Sequence, residues 1–195
     1  QNYGIWTYAL IFLIIFCETG LVVTPFLPGD SILFATGALA SIGSLNFPTL
    51  FITFFIAAVA GDTVNYHIGK NIGNKILEKE DMKYINKKFY QKHGSMTIVL
   101  GRFIPIIRTF VPFVAGIGEM SYPKFISYNM LGGFSWVTLM LGGGYFFGGL
   151  PFIKDHFSYV VIAIIIISII PAIVTVIKEK KNGGNKINDV INTES

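Results

Sequence analysis

The chain has 195 residues, of which 52% are hydrophobic and 13% charged, about half the charged share of an ordinary soluble domain. That is the composition of a membrane protein. The formal net charge of +4 does not indicate nucleic acid, because the lysines border apolar runs and no nucleic-acid module is present, and the lone Cys17 excludes an intramolecular disulfide or a multi-cysteine metal site.

In chain order, the opening "QNYGIWTYALIFLIIFC" lacks the basic n-region of a cleavable signal peptide. Ile5 to Val23 reads as a first hydrophobic helix that carries Glu18. It ends in "TPFLPGD", where Pro25, Pro28 and Gly29 interrupt helical hydrogen bonding. Ser31 to Ile42 offers 12 uncharged residues, fewer than the ~20 needed to cross a bilayer, and suits an arm that enters and returns. Residues 5–46 are therefore expected to form a first helix and a re-entrant hairpin. Residues 47–70 follow as a spanning helix with Pro48 in its first turn. On it Asp62, Asn65, Tyr66, Gly69 and Gly73 share a face, which in lipid should turn toward protein.

No Lys or Arg precedes Lys70, whereas Lys70 to Lys92 carries seven Lys. Within it, residues 71–93 place Met82, Ile85 and Phe89 along one side among lysines, the pattern of a basic amphipathic helix on the membrane surface. Next comes "GRFIPIIRTFVPFVAG", residues 101 to 116, inside a second expected hairpin, 94–121, shaped by Gly101, Pro105, Pro112 and Gly116. Residues 122–149 and 157–177 are expected to span, closing a single membrane domain of 1–177, and 178–195 is a basic tail too polar to fold alone. The positive-inside rule places the basic segment 70–92 and the C-terminus in the cytoplasm. The chain between them must then cross an even number of times. The two late helices supply two crossings, so 94–121 must enter and leave on one side.

A faint repeat agrees. Pro48, Gly69 and Gly73 match Pro123, Gly144 and Gly148 at one constant offset, and Phe34 and Gly37 match Phe113 and Gly116 at an offset four residues larger. One crossing separates the copies, which gives them opposite orientation. The expected fold is an all-α polytopic membrane protein with two opposed re-entrant helical hairpins in an inverted repeat, the arrangement that points to a substrate site near the bilayer midplane.

Irregular backbone persists at membrane depth only inside protein or around a hydrated cavity. An isolated arginine there costs about 2.5 to 17 kcal/mol and needs a partner. The chain has two arginines, Arg102 and Arg108, and the acids at hand are Glu18, Asp30, Asp62 and Glu119. Glu18 and Asp30 from the first broken segment are expected to meet Arg102 and Arg108 from the second, with Asp62 a pocket acid on the neighbouring helix. Glu119 and Lys124 are expected at the interface, and Trp6, Trp136 and the tyrosines as packing or interfacial residues. Guanidinium binds phosphate through paired hydrogen bonds and stays charged at any working pH. With acids able to exchange protons beside it, this suggests proton-linked handling of an anionic head group. His67, His93 and His156 have no metal-site spacing, and no cofactor is expected.

The run G-R-F-x-P-x-x-R-x-x-x-P-x-x-A-G, continuing through "GIGEMSYPKFISYNMLGGFSW", with a preceding "KHG" and the spacing E-x11-D in "ETGLVVTPFLPGD", resembles the core motif of the DedA membrane proteins. These are relatives of the eukaryotic scramblases that share the same domain. The likeness covers roughly residues 10 to 150. It implies a multi-pass protein of the bacterial cytoplasmic membrane with opposed re-entrant hairpins that moves lipid between leaflets, undecaprenyl phosphate being the lipid associated with bacterial members. By motif match it implies that Glu18 and Asp30 are the essential acids and that Arg102 and Arg108 are the essential basic pair. The expected partners are a polyprenyl phosphate or anionic phospholipid and protons, with no nucleic acid and with room for a homo-oligomer. A proton-coupled antiporter of small ions or drugs is the alternative. A lipid phosphatase ranks low, because the sequence has neither an H-x-x-x-D pattern nor an evident nucleophile paired with a base.

Overall fold

The computed structural model describes residues 3–21, 29–76, 95–148 and 150. Pro25, Pro28, residues 77–94 of the basic segment, the expected helix 157–177 and the tail 178–195 lie outside the described residues.

Six helices make up the described residues: α1 (Tyr3–Gly20), α2 (Gly29–Ser41), α3 (Phe47–Ile76), α4 (Thr97–Gly101), α5 (Pro105–Ile117) and α6 (Tyr122–Gly148). The all-helical class is as expected. Two of the helices, over Phe47–Gly73 and Tyr122–Gly148, are long and apolar enough to cross a membrane, each about 40 Å at 1.5 Å per residue. Asn46 starts α3 by accepting the Thr49 backbone N–H on its side-chain oxygen at 3.0 Å, and Pro48 and Pro123 sit in the first turns of α3 and α6, where a missing N–H costs nothing.

Contacts fix the directions. Tyr66 meets Tyr122 and Phe125, Phe51 meets Phe134, and Phe47 meets Tyr145, so α3 and α6 are antiparallel. The Tyr8 hydroxyl accepts the Asn46 N–H at 3.0 Å, while Gly20 packs on Gly61, so α1 runs alongside α3 in the same sense and stops near its middle. From there α2 returns toward the Phe47 end. At the opposite end α4 enters, the helix breaks over Arg102 to Ile104, and α5 runs back alongside α3. Ile104 is extended (φ −113°, ψ 111°) and Pro105 opens α5, as expected for a residue before proline and for proline at a helix start. Pro112 differs from expectation. It lies inside the continuous α5 and does not make the break. It removes one N–H from the ladder, the one that would serve the Arg108 carbonyl, while Asn65 Nδ2 reaches across from α3 to the neighbouring Thr109 carbonyl at 2.7 Å.

The two short arms are seated reciprocally. On α2, Phe34 and Gly37 press backbone to backbone on Leu141, Gly144 and Tyr145 of α6; on α5, Phe113 and Gly116 do the same on Tyr66, Gly69 and Lys70 of α3. Each arm thus lies on the long helix of the other half of the chain. The arms also end alike. Gly43 (φ 79°) closes α2 with bonds Ser44 N–H to Leu39 O and Gly43 N–H to Ala40 O, and Glu119 (φ 51°) closes α5 with Met120 N–H to Ala115 O and Glu119 N–H to Gly116 O. Both are Schellman caps. The second has a glutamate in the left-handed position, where a side chain costs about 1–2 kcal/mol. Glu119 is therefore a cap residue, beyond the interfacial role expected of it.

Two apolar clusters result. One holds Ile15, Leu33, Leu50, Phe54, Val137 and Leu141; the other holds Tyr66, Ile98, Val111, Ala115 and Phe125. Between them, at the middle of α3 and α6, lies a layer of buried polar side chains.

Two glycines on α6 separate backbone contact from mere helix propensity. A Cβ on Gly144 would fall on the Phe34 carbonyl, whereas one on Gly142 would meet nothing within 4 Å. Gly144→Ala should lower stability by about 1–3 kcal/mol and Gly142→Ala should raise it by about 0.5–1 kcal/mol, read as shifts of opposite sign in thermal unfolding in detergent micelles. Glu119→Gly should stabilise by about 1 kcal/mol in the same assay.

Candidate functional site

Every element contributes to the polar layer, α4 through Arg102 at its C-cap. Glu18 comes from the last turn of α1, Asp30 from the first turn of α2, Asp62 and Asn65 from α3, Arg108 from the start of α5, and Asn129 and Trp136 from α6. Glu18, Asp62, Asn65, Arg102, Arg108, Asn129 and Trp136 are all buried.

Two networks form. In the first, Arg108 Nη2 pairs with Glu18 Oε1, and Arg108 Nη1 donates to Asp30 Oδ1 at 3.0 Å. Asp30 Oδ1 also accepts the indole Nε1–H of Trp136 at 2.8 Å, and the Trp136 ring lies 5.1 Å from Arg108 Cζ, within the range of a cation–π contact. In the second network Arg102 Nη2 pairs with Asp62 Oδ2 and donates to Asn129 Oδ1. Asn129 Nδ2 in turn donates to the Val59 carbonyl at 3.1 Å, which ties α6 to α3.

Local sequence explains the placement. Gly29 lies directly against the Glu18 carboxylate, so any side chain there would occupy the carboxylate's position. Gly29 is the first residue of α2, and helix-end N–H groups there favour negative charge. Gly132 on α6 leaves room for Arg102, whose Cδ a Cβ would meet at 3.0 Å, while a Cβ on Gly133 would press on Val59 at 3.3 Å and reach Arg102 Nη1 at an ordinary contact distance of 3.6 Å. Asn65 Nδ2 bonds the Thr109 and Thr19 carbonyls at 2.7 and 3.3 Å and so links α5 to the end of α1.

The expected residues Glu18, Asp30, Asp62, Arg102 and Arg108 lie in this one layer. Their pairing differs from the expectation in one respect: Arg108 takes both acids of the first broken segment, and Arg102 goes to Asp62. Trp136 is a second difference, for it is a hydrogen-bonding member of the cluster where packing or an interfacial position was expected. Asn129, Gly132 and Gly133 carry no sequence signal of their own. Among the described residues no group of His, Cys, Asp and Glu is arranged to hold a metal ion.

Two cations face three carboxylates, and several atoms keep bonding capacity. Among the described residues Glu18 Oε2, Asp62 Oδ1, Asn65 Oδ1, Arg102 Nε and Nη1, and Arg108 Nε have no hydrogen-bond partner. Buried polar atoms in this number require water or a ligand oxygen. Access is uneven. The Asp30 side chain is 37% exposed, against 2% or less for its ion-paired neighbours, so the cluster opens at Asp30.

A VTT domain model matches residues 27–146. The protein DedA of Escherichia coli K12 is 50% identical over 92% of this chain and 86% of its own length. The inner membrane protein YghB of Salmonella typhimurium is 33% identical over 89% of the chain and 85% of its length. The inner membrane protein YqjA of Escherichia coli K12 is 32% identical over 74% and 69%. No solved structure matches the chain.

Breaking the second network from one side should strand a buried charge. Asp62→Ala or Arg102→Ala alone should cost about 3–5 kcal/mol, while Arg102→Met combined with Asp62→Leu should cost less than either, as measured by thermal melts of the purified protein. Additive losses would show that the pair does not act as a unit.

Proposed function

The chain belongs to the VTT-domain family, the DedA proteins, and is a bacterial membrane protein; from that premise we propose that it moves an anionic lipid, most simply a polyprenyl phosphate, between leaflets. The observation that carries this reading is the Arg108 network: a guanidinium buried midway along two helices of spanning length, held by Glu18 and Asp30, with an unfilled donor at Nε and an exposed edge at Asp30. A phosphate monoester or diester has the geometry to take over the guanidinium from a carboxylate. A tail of isoprenoid or acyl chain would remain in the bilayer.

Charge accounting gives the proton its place. The five ionised groups already sum to a net negative charge, so an entering phosphate adds repulsion unless a carboxylate released from Arg108 takes up a proton. For a phosphate carrying one negative charge, exchange for Glu18 or Asp30 with uptake of one proton leaves the charge around Arg108 unchanged, and a doubly charged monoester calls for a second proton. That coupling supports proton-linked transport over simple leakage. The reading further takes the α1/α2 and α4/α5 pairs as opposed re-entrant hairpins of an inverted repeat, with residues 70–92 and the C-terminus cytoplasmic. Hairpins that open at opposite ends of α3, and arms seated reciprocally on glycines, support it. Rocking of the two halves would then expose the site to each leaflet in turn. The protein acts as a transporter without a cofactor, and no chemical step on the lipid is needed.

Proton-coupled antiport of small ions or drugs is the second reading, favoured by the unpartnered acceptors Glu18 Oε2 and Asp62 Oδ1, which suit a cation better than an anion.

Liposomes containing undecaprenyl phosphate beside ordinary phospholipids test the proposal through leaflet exposure of each lipid, with and without a pH gradient. Arg108→Ala and Arg102→Ala should each cut polyprenyl-phosphate transport at least ~10-fold, the loss of about one charge-assisted pair. Glu18→Gln should leave the residual rate insensitive to the gradient. Undiminished transport in both arginine variants would overturn the head-group role, and solute-dependent proton flux in vesicles lacking polyprenyl phosphate would favour the antiporter.

A further inference from the structure

We infer that Trp136 is a positioning residue of the head-group site, whose indole N–H keeps hold of Asp30 when Arg108 is given up to a phosphate. The inference rests on the lipid-phosphate reading above.

Asp30 Oδ1 is shared. It accepts from Arg108 Nη1 at 3.0 Å and from Trp136 Nε1 at 2.8 Å. Trp136 itself is fully buried on α6, with Val137 and Leu141 packed around it in one apolar cluster, so the indole cannot follow a moving ligand. Its N–H is a neutral donor fixed by packing. A buried indole N–H normally has a partner, and here the partner is the most exposed acid of the cluster. The charged groups facing this pair are Arg108 and, through Arg108, Glu18.

The consequence lies in the exchange step. When phosphate oxygens take the guanidinium, Asp30 loses a charge-assisted bond, and a carboxylate left at the rim of a semi-dry site is costly to abandon. Trp136 lowers that cost by remaining bonded to the same oxygen. The ring contributes separately, since its face lies 5.1 Å from Arg108 Cζ and limits where the guanidinium can point while its partners change. Trp136 is thus a donor to Asp30 and a backing for Arg108, each role carried by a different part of the indole. Phenylalanine retains the ring face and much of the packing but lacks the N–H, which allows the two roles to be separated.

The test uses the full-length protein in dodecyl maltoside micelles with dodecyl phosphate as the probe and dodecanol as its uncharged counterpart, and binding measured by titration calorimetry. Trp136→Phe should weaken dodecyl phosphate binding about fivefold with little change in thermal stability. In an Asp30→Asn background, where no carboxylate needs holding, the same substitution should change the affinity less than about twofold. A merely structural tryptophan would lower stability and affinity together in both backgrounds. Equal binding by the Trp136→Phe and unmodified proteins, or a loss that persists undiminished with Asp30→Asn, overturns the inference while leaving the head-group reading intact. Absence of phosphate-dependent binding in the unmodified protein, or its retention in Arg108→Ala, overturns both.

Discussion

The architecture depends on the requirement that a guanidinium inside a membrane be surrounded by partners the lipid cannot provide. Arg102 and Arg108 are both buried, and each draws in helices from distant parts of the chain. Arg108 joins the end of α1 and the start of α2 to α5, and Arg102 joins the α4–α5 break to α3 and, through Asn129, to α6. Buried ion pairs of this kind seldom exceed apolar packing in net stability. Their physical effect is selective: a register or topology that separates the charges strands several of them at once. The apolar clusters above and below supply cohesion, and the polar layer determines which arrangement of helices is permitted.

That layer also explains the glycines. Backbone-to-backbone seating of α2 on α6 and of α5 on α3 draws the helix axes close, and without a hydrophobic driving force between helices in lipid, close contact of small residues is a principal source of association. The same small residues leave room for the cluster. Gly29 admits the Glu18 carboxylate, and Gly132 admits Arg102. Space and charge are therefore matched position by position.

Much of this is legible in the sequence because the physics is local. Prolines beside Glu18 and around Arg102 mark broken segments, long uncharged runs mark spanning helices, and charged residues in such runs stand out as needing partners. Other features are not legible because residue type leaves them ambiguous. Trp136 is as good a packing residue as a hydrogen-bond donor, and only the arrival of Asp30 from α2 distinguishes the roles. Asn129 has no neighbour in sequence that reveals Arg102. The division of the acids between the two arginines depends on which side of α3 each one meets, a tertiary fact. Pro112 reads as a break and lies in a continuous helix, held against α3 by the Asn65 bond to Thr109 and the close seating of Gly116. Glu119 shows no glycine signal for the left-handed cap that it supplies.

The reciprocal seating of the two arms bears on how the protein can be assembled during synthesis. The seat of α2 is on α6, and the partner of Glu18 and Asp30 is on α5, so neither exists until the second half of the chain has left the ribosome and entered the bilayer. The first half must wait with three uncompensated carboxylates, Glu18, Asp30 and Asp62, and an unseated arm, held at the insertion machinery or in hydrated surroundings. It completes its fold only when residues more than a hundred positions later, up to Gly148, arrive to receive it.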